Sequence, residues 1–520
     1  MTKRQNINLK LIEVPAASVE YEGRILGTNR LKTPVQTQPV LLPSLESGLR
    51  DIGYDVESEI INMKLLGADQ KQFRKRMSLG RLKLESYMVG ASFESVEESL
   101  RKAEVIGLTS NFTYSAGIVE DFIAYAKRTN PNLKIVVGGA DASARQEFYL
   151  NSGADAVIEG EGEKNGPLVI DALMSGKGLE DIARVAFKKN GDVIKNINGR
   201  GNEPVIMDEL PLPALDKVDV SQYTDTGEGP LPEGASFPSW AYETSRGCMQ
   251  ACKFCTTPYL RPSFRRMSLE RISRELEHAK KAGVKTLFSW EDNLLSRMHG
   301  KNNQRDANGR EEVLAYLNLM KESGLAFEFS NGLELGKLAD ENGNPDVELI
   351  NALFYHKIND DRSFSGTFRF YAPLETLTDD GIKKLKKLRS YDVEKDILDA
   401  IAQTKIPMIN FGLMVGAPEE NQKSLDQTKK RYGVIRSSIK SISPNTKLNC
   451  NLFMFTPLPG TPYFRKYQER MIADINTDPE FWNFSTSCIN GDYYSADEMT
   501  LKQMNLFKEI NGTIEAKTYN

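Results

Sequence analysis

Histidine and cysteine are the scarce residues of this chain, three and five among 520 positions, and no histidine precedes His278. An odd and small number of cysteines in so long a chain excludes a disulfide framework and indicates a reducing compartment. No apolar run reaches about 18 residues, so no membrane-spanning helix is signalled. The opening "MTKRQNINLKLIEV" is too short and polar for a secretory signal, and a cytoplasmic location is expected. The charge is nearly balanced, with 67 Lys and Arg against 71 Asp and Glu and a net charge of −4, which argues against a general nucleic-acid binder. No internal repeat or low-complexity tract is found. What remains is ordinary globular composition, 40% hydrophobic and 27% charged. The length exceeds one core and calls for two or three domains.

Two blocks alternate strand and helix patterns. In the first, residues 1–200, apolar runs at 8–14, 56–62, 103–111, 133–139 and 154–163 read as strands. Ile118, Val119, Phe122, Ile123 and Ala126 recur at helical spacing between them. Strands alternating with helices imply a parallel, Rossmann-like sheet covered on both faces, with the ligand crevice at the carboxyl ends of its strands. Residues 201–239 are rich in Pro and Gly and read as a linker. The second block, 240–460, offers six strands at 240–245, 284–290, 325–331, 366–372, 408–415 and 449–455. Its helix beginning at Ser268 carries Leu269, Ile272, Leu276 and Ala279 on one stripe and stops at Gly283. The expected architecture is α/β: a Rossmann-like domain, then a (β/α)6 partial TIM barrel with its chemistry at the C-terminal mouth. A small extension, 461–520, follows. The basic run "KQFRKRMSLGRLK" (71–83) reads most simply as a solvated helix face, with a phosphate- or RNA-contacting role as the alternative.

"SRGCMQACKFC" gathers Cys248, Cys252 and Cys255 on the first βα loop of that barrel. A structural zinc site closes with four ligands, and no histidine lies nearby to supply the fourth. A "CKFC" redox pair leaves Cys248 unused. A four-iron cluster on three thiolates leaves one iron free for a substrate or cofactor. Cys450 and Cys488 read as small buried hydrophobes.

The C-x3-C-x2-C spacing on such a loop resembles the radical S-adenosylmethionine (SAM) enzymes. "FSWEDNLLS" (288–296), "FRFYAPLETLT" (368–378), "INFGLMVGAPEE" (409–420) and "FMFTPLPGTPYF" (453–464) resemble that family's motifs in order. The resemblance implies a 4Fe-4S cluster on Cys248, Cys252 and Cys255, with SAM near Phe254, Asp292, Asn293, Glu375, Gly412 and Gly416. It also implies an electron donor such as flavodoxin or ferredoxin.

"GLTSNFTYSAG" (107–117), "VVGGADAS" (136–143) and "VIEGEGEKNGPL" (157–168) resemble the cobalamin-binding domain of one branch of that family. The resemblance implies that cobalamin meets Thr109, Ser110, Gly138, Gly139, Gly160 and Glu161. The Asp-x-His-x-x-Gly motif of methionine synthase-like domains is missing, so no histidine would bind cobalt from below. Candidates for that face lie in "AASVEYEGRILGTNR" (16–30). The whole resembles a cobalamin-binding radical SAM methyltransferase of class B, acting through a 5′-deoxyadenosyl radical and methylcobalamin on an unactivated carbon of a small molecule, lipid or natural product. A cyclase or ring-rearranging enzyme of the same build is the alternative. A zinc-stabilised binding protein without catalysis is the remote one. Methylthiotransferases of the family add an N-terminal three-cysteine cluster, and no cysteine here precedes Cys248. The extension 461–520 is expected to cap the substrate, with Phe481, Trp482, Phe484, Tyr493 and Tyr494 either lining its pocket or serving as core.

Overall fold

The computed structural model describes residues 5–26, 37–68, 70–225, 229–299, 306–385 and 390–512. Five parallel strands form the N-terminal sheet, in the order Ala156–Ile158, Lys134–Gly138, Val105–Thr109, Gln5–Glu13, Tyr54–Asn62. An antiparallel hairpin, Val185–Lys189 with Asp192–Asn196, extends one edge. Both faces are covered by helices, which is why the central strands read as apolar runs without alternation. Helix Ala116–Thr129 buries Ile118, Phe122 and Ala126 on one face. Helices Thr37–Ile52 and Gly166–Ser175 bury Leu42, Leu45, Leu49 and Ile170 on the other. The chain moves outward from Gln5–Glu13 to Tyr54–Asn62 and then returns to Val105–Thr109 on the opposite side. Strand order therefore reverses between Gln5–Glu13 and Val105–Thr109, the point where such sheets open a ligand crevice.

Helix Thr37–Ile52 is hidden in the sequence by Pro39 and Pro43. Pro43 has no N–H for the carbonyl of Pro39. The backbone N–H of Ala214 donates to that carbonyl instead, at 2.8 Å. The connecting segment around residues 201–239 is thus tied down along its length. Arg271 donates to the carbonyls of Leu210 and Pro211, and Tyr223 is buried against Trp240.

The basic run at 71–83 is not a helix. Lys71–Leu79 and Leu82–Val89 form a hairpin with a two-residue turn at Gly80-Arg81, extended by Ala16–Tyr21 and Arg24–Ile25 into a separate antiparallel sheet. Met77, Leu79, Leu82 and Leu84 are buried, with exposed Ser78 and Lys83 between them, a period of two that outweighs the charge pattern. The first-loop residues Ala16–Tyr21 belong to this sheet, and 27–30 lie outside the described residues.

Six parallel strands, Ser239–Tyr242, Thr286–Ser289, Ala326–Phe329, Phe364–Glu375, Met408–Val415 and Lys447–Met454, form an open barrel in sequence order. Helix Leu269–Lys281 starts at Ser268, whose hydroxyl accepts from the Arg271 N–H, and buries Ile272, Leu276 and Ala279. Phe327, Phe329, Phe370, Ile409, Phe411 and Leu452 pack under the helices. Glu328, Arg369, Asn410 and Asn449 have the opposite parity and therefore face the barrel interior. There Glu328 pairs with Arg369, and Asn449 Nδ2 donates to Asn410 Oδ1 at 3.1 Å. Among the described residues no helix is long and apolar enough to cross a membrane.

The C-terminal segment packs against the antiparallel sheet. Phe481, Trp482, Cys488 and Ile489 share one core with Val19, Met77, Leu79, Leu82 and Leu84. The basic strand supplies the ion pairs. Arg74 holds Glu480 at 2.6 Å, and Lys75 holds Asp478 at 2.9 Å and Glu480 at 3.0 Å. Arg74 and Lys75 are thus engaged inside the molecule, while Arg76 and Arg81 of the same run stay exposed. Trp482 is fully buried and its indole N–H donates to Pro457 O at 2.9 Å. Trp482→Ala should therefore cost about 3–5 kcal/mol. A large fall in the urea midpoint, read by circular dichroism, is the expected result, and an unchanged midpoint would contradict this packing.

Candidate functional site

The cysteine loop is closed at its base. Ser245–Arg246 pairs antiparallel with Arg265–Arg266, so residues 247–264 return to where they leave the barrel. Gly247 sits at φ +87°, and a Cβ there would lie 2.3 Å from Ser263 O, so the turn requires glycine. Cys248, Cys252 and Cys255 are in no disulfide and are half-buried. The Cys255 N–H donates to Cys252 O at 3.3 Å, and the Gln250 N–H lies 3.4 Å from Cys248 Sγ. Burial raises Cys255 above an ordinary thiol. Cys450 and Cys488 are deeply buried and pushed up to about 12, which leaves them as inert core. Among the described residues no three His, Cys, Asp or Glu side chains converge on one point as a single metal ion requires. A mononuclear zinc site would bring its thiolates within about 4 Å of one another.

The "WEDN" segment after the second barrel strand braces that loop from below. Glu291 is buried and accepts from Thr244 Oγ1 at 2.6 Å and from Ser245, and burial raises its pKa. Asp292 accepts from the Gly247 N–H at 2.8 Å, Thr257 Oγ1 at 3.1 Å and Arg261 at 3.2 Å. Asn293 Nδ2 lies 3.5 Å from Cys248 Sγ and donates to Glu334 at 3.0 Å. Phe254 is half-buried within the loop. Glu375 ends the fourth barrel strand at φ +49°, beside a register irregularity at Pro373. Gly412 lies on the neighbouring strand, where a Cβ would strike the Tyr371 hydroxyl, and Gly416 follows that strand's end at φ +87°.

A chamber of about 400 Å³ joins the two halves. Its inner end is an apolar slot between Leu9, Leu11, Val105 and Val136 of the sheet and Leu41, Leu45 and Ile170 of the covering helices. Its outer wall is Arg246, Thr257, Leu260, Arg261, Trp290 and Asp292 of the barrel. Thr109, Gly138, Gly139, Gly160 and Glu161 all belong to the wall between. A Cβ on Gly138 would meet nothing within 4 Å, whereas one on Gly139 would strike Ser110 O at 2.5 Å. Ser110 is not in the wall: its hydroxyl is buried against Tyr149 Oη at 2.7 Å. Among the five tail aromatics, Phe484 reaches the wall at φ +64°. Phe481 and Trp482 are core, and Tyr493 is exposed. No histidine lines the chamber.

Where the halves meet, three arginines interlock with four carboxylates. Arg246 is 4% exposed and binds Glu163 at 2.7 Å, Glu243 at 2.7 Å and Glu161 at 3.0 Å. Arg265 binds Glu161 at 2.6 Å, and Arg261 bridges Glu243 at 2.6 Å to Asp292 at 3.2 Å. Burial opposes ionisation of Glu161, yet Arg265 and Arg246 hold it below the ordinary carboxylate range. Arg261 and Arg246 do the same for buried Glu243. Glu161 is thus occupied by the cysteine loop while it lines the chamber. This network was not legible in advance. Its signal was only charge placed inside glycine-rich turns, "EGEGE" and "SRGC".

A model of the B12-binding domain matches residues 38–169. The chain is 29% identical over 194 residues to an uncharacterised methyltransferase of Pyrococcus horikoshii, covering 36% of this chain and 39% of that protein. It is 28% identical over 189 residues to the hopanoid C-3 methylase of Methylococcus capsulatus, covering 35% and 34%. A cytidylyl-2-hydroxyethylphosphonate methyltransferase of Streptomyces wedmorensis is 24% identical over 260 residues, covering 46% of each chain. The chain thus spans less than half the length of each of these three relatives. Among solved structures, the cobalamin-dependent SAM radical enzyme OxsB superposes with a TM-score of 0.65 at 14% identity, over 97% of this chain and 66% of that one. The radical SAM methyltransferase TsrM of Kitasatospora setae gives 0.57 at 13% identity, over 89% and 78%. The fold is therefore that of the cobalamin-dependent radical SAM enzymes. With that fold, the chain joins a segment matching the B12-binding domain to an open barrel with a three-cysteine loop.

Removing the shared cation should loosen the junction. Arg246→Met would leave Glu163 buried without this cation and Glu243 with Arg261 alone, at a cost of about 3–5 kcal/mol. Because Glu161 and Glu243 are held below their ordinary value of 4.5, their stabilisation is full at neutral pH and fades as pH falls below that value. Denaturant midpoints measured from pH 7 downward check both points. An Arg246→Met midpoint equal to that of the wild type would refute the network's role.

Proposed function

We propose that this chain is a cobalamin-dependent radical SAM enzyme that methylates an unactivated carbon of a small-molecule, lipid or natural-product substrate. The observation that carries the reading is the chamber itself, which runs from the interior of the B12-binding domain to Thr256, Thr257, Leu260 and Arg261, the residues that follow Cys255 in the cysteine loop. The residues suit the groups they would hold. The apolar slot offers room for an aromatic tail beside Thr109, and Gly138 leaves space where any side chain would intrude. Cys248, Cys252 and Cys255 would ligate three irons of a cluster, whose thiolates lie farther apart than those around one zinc. Bound there, the cluster with SAM supplies a carbon-centred radical, and cobalamin supplies the methyl group.

The chain's own residues bind, orient and shield. Asp292 and Arg261 hold the cysteine loop against the barrel, and Asn293 directs an N–H at Cys248 Sγ, an interaction that tunes a thiolate. Glu375, Gly412 and Gly416 lie on adjoining strands, where SAM would extend across the barrel interior. Trp290 and Phe112 stand partly exposed in the chamber wall and would limit water at the reacting carbon. Reduction of the cluster would come from a flavodoxin or ferredoxin. Support also comes from three relatives named as methyltransferases or methylases and from the solved methyltransferase of similar fold.

Anaerobic purification should give about four iron and four sulfide per chain, lost together in the Cys248→Ala, Cys252→Ala, Cys255→Ala variant. A single zinc would refute the cluster. Gly138→Val should fill the chamber and weaken hydroxocobalamin binding by about tenfold or more without unfolding the protein. Unchanged binding would refute the chamber's assignment. A product heavier by one methylene confirms methyl transfer, and loss of two hydrogens with a new ring would favour a cyclase.

A further inference from the structure

Gln38 opens helix Thr37–Ile52 and lies in the chamber wall, only 2% exposed. Its Nε2 donates to Glu13 Oε2 at 2.8 Å and lies 3.5 Å from Thr109 Oγ1. Glu13 ends strand Gln5–Glu13 and Thr109 ends strand Val105–Thr109, the two strands between which the sheet order reverses. Gln38 therefore bridges the crevice at its fork. The other oxygen of Glu13 accepts from Lys64 Nζ, and a carboxylate offers acceptors only. That fixes the amide: turning it over would set two oxygens against each other. Gln38 Oε1 is left without a donor, and it is the one such buried side-chain atom among the described chamber-wall residues. A buried acceptor without a partner costs stability unless a ligand supplies the donor.

We propose that Gln38 is a cofactor-binding residue whose side-chain carbonyl accepts a hydrogen bond from an N–H or O–H of the bound corrinoid. The amide-bearing rim of a corrin and its hydroxylated nucleotide tail both carry such donors. Glu13 acts through Gln38 as the positioning residue, holding the amide nitrogen so that the oxygen is presented. Glu13, behind the wall, and Thr109, within it, thus hold Gln38 in a chamber wall that has no histidine. This inference rests on the cobalamin reading above.

The test is titration of the full-length apoprotein with hydroxocobalamin, followed by visible absorption, beside the thermal midpoint of the apoprotein. The wild type should bind. Gln38→Leu should bind roughly tenfold more weakly, with an altered visible spectrum of the bound corrinoid and an apoprotein midpoint close to that of the wild type. Glu13→Ala should lose part of the same affinity. An unchanged dissociation constant and spectrum in Gln38→Leu would overturn the proposal, as would weaker binding explained wholly by a lowered midpoint. Should the leucine variant not fold, Gln38→Met answers to the same criteria. A wild type that does not bind hydroxocobalamin would overturn the cobalamin reading itself, and this inference with it.

Discussion

Arg246 is the group on which the arrangement depends. It is buried between the two α/β units and immediately precedes Gly247 and Cys248. Glu161 and Glu163 reach it from the B12-binding domain, and Glu243 reaches it from the end of the first barrel strand. A guanidinium removed from water is tolerated only with its donors satisfied, so three carboxylates in fixed positions specify one geometry. That geometry sets the cysteine loop against the glycine-lined strand ends. Displacement of either unit would strand charge in the interior. The chamber is therefore a consequence of the contact between the halves as much as of either half.

The second constraint lies in the packing of the C-terminal segment. The antiparallel sheet built on residues 16–25 and 71–89 shares its core with the C-terminal segment, and Arg74 and Lys75 anchor Glu480 within it. Residues 19–84 and 455–504 thereby share one core, with Phe455 following the last barrel strand and Phe484 reaching the chamber. The tail is in this sense part of the frame, and only one of its five candidate aromatics, Phe484, faces the proposed site.

Legibility in the sequence followed local pattern. The parallel strands and helix Ala116–Thr129 were readable because burial on two faces leaves apolar runs and helical stripes of characteristic length. Gly139 was readable as a place of close approach, and the spacing of Cys248, Cys252 and Cys255 as a loop with three thiols. Helix Thr37–Ile52 was not, because the donor that satisfies the Pro39 carbonyl is Ala214, far away in sequence. The hairpin at 71–89 was obscured by its charges, whose partners lie some 400 residues downstream, as the separation of 406 between Arg74 and Glu480 shows. Ser110 was misplaced by one step of strand parity: its neighbour Thr109 faces the chamber while its own hydroxyl meets Tyr149. Gln38 and Arg246 carry no motif at all, since their roles arise only when strand ends and loops from different parts of the chain meet.

The central claim is that the corrinoid would occupy the chamber and the cluster would sit beside its outer end, on the cysteine loop. Electron paramagnetic resonance of the anaerobic protein, loaded with cob(II)alamin and with its cluster reduced, tests this most directly. Two neighbouring paramagnets interact, so the cobalt spectrum should be broadened or split relative to that of the variant lacking Cys248, Cys252 and Cys255. A cobalt spectrum identical in the two proteins, with both centres present in the wild type, would contradict the account.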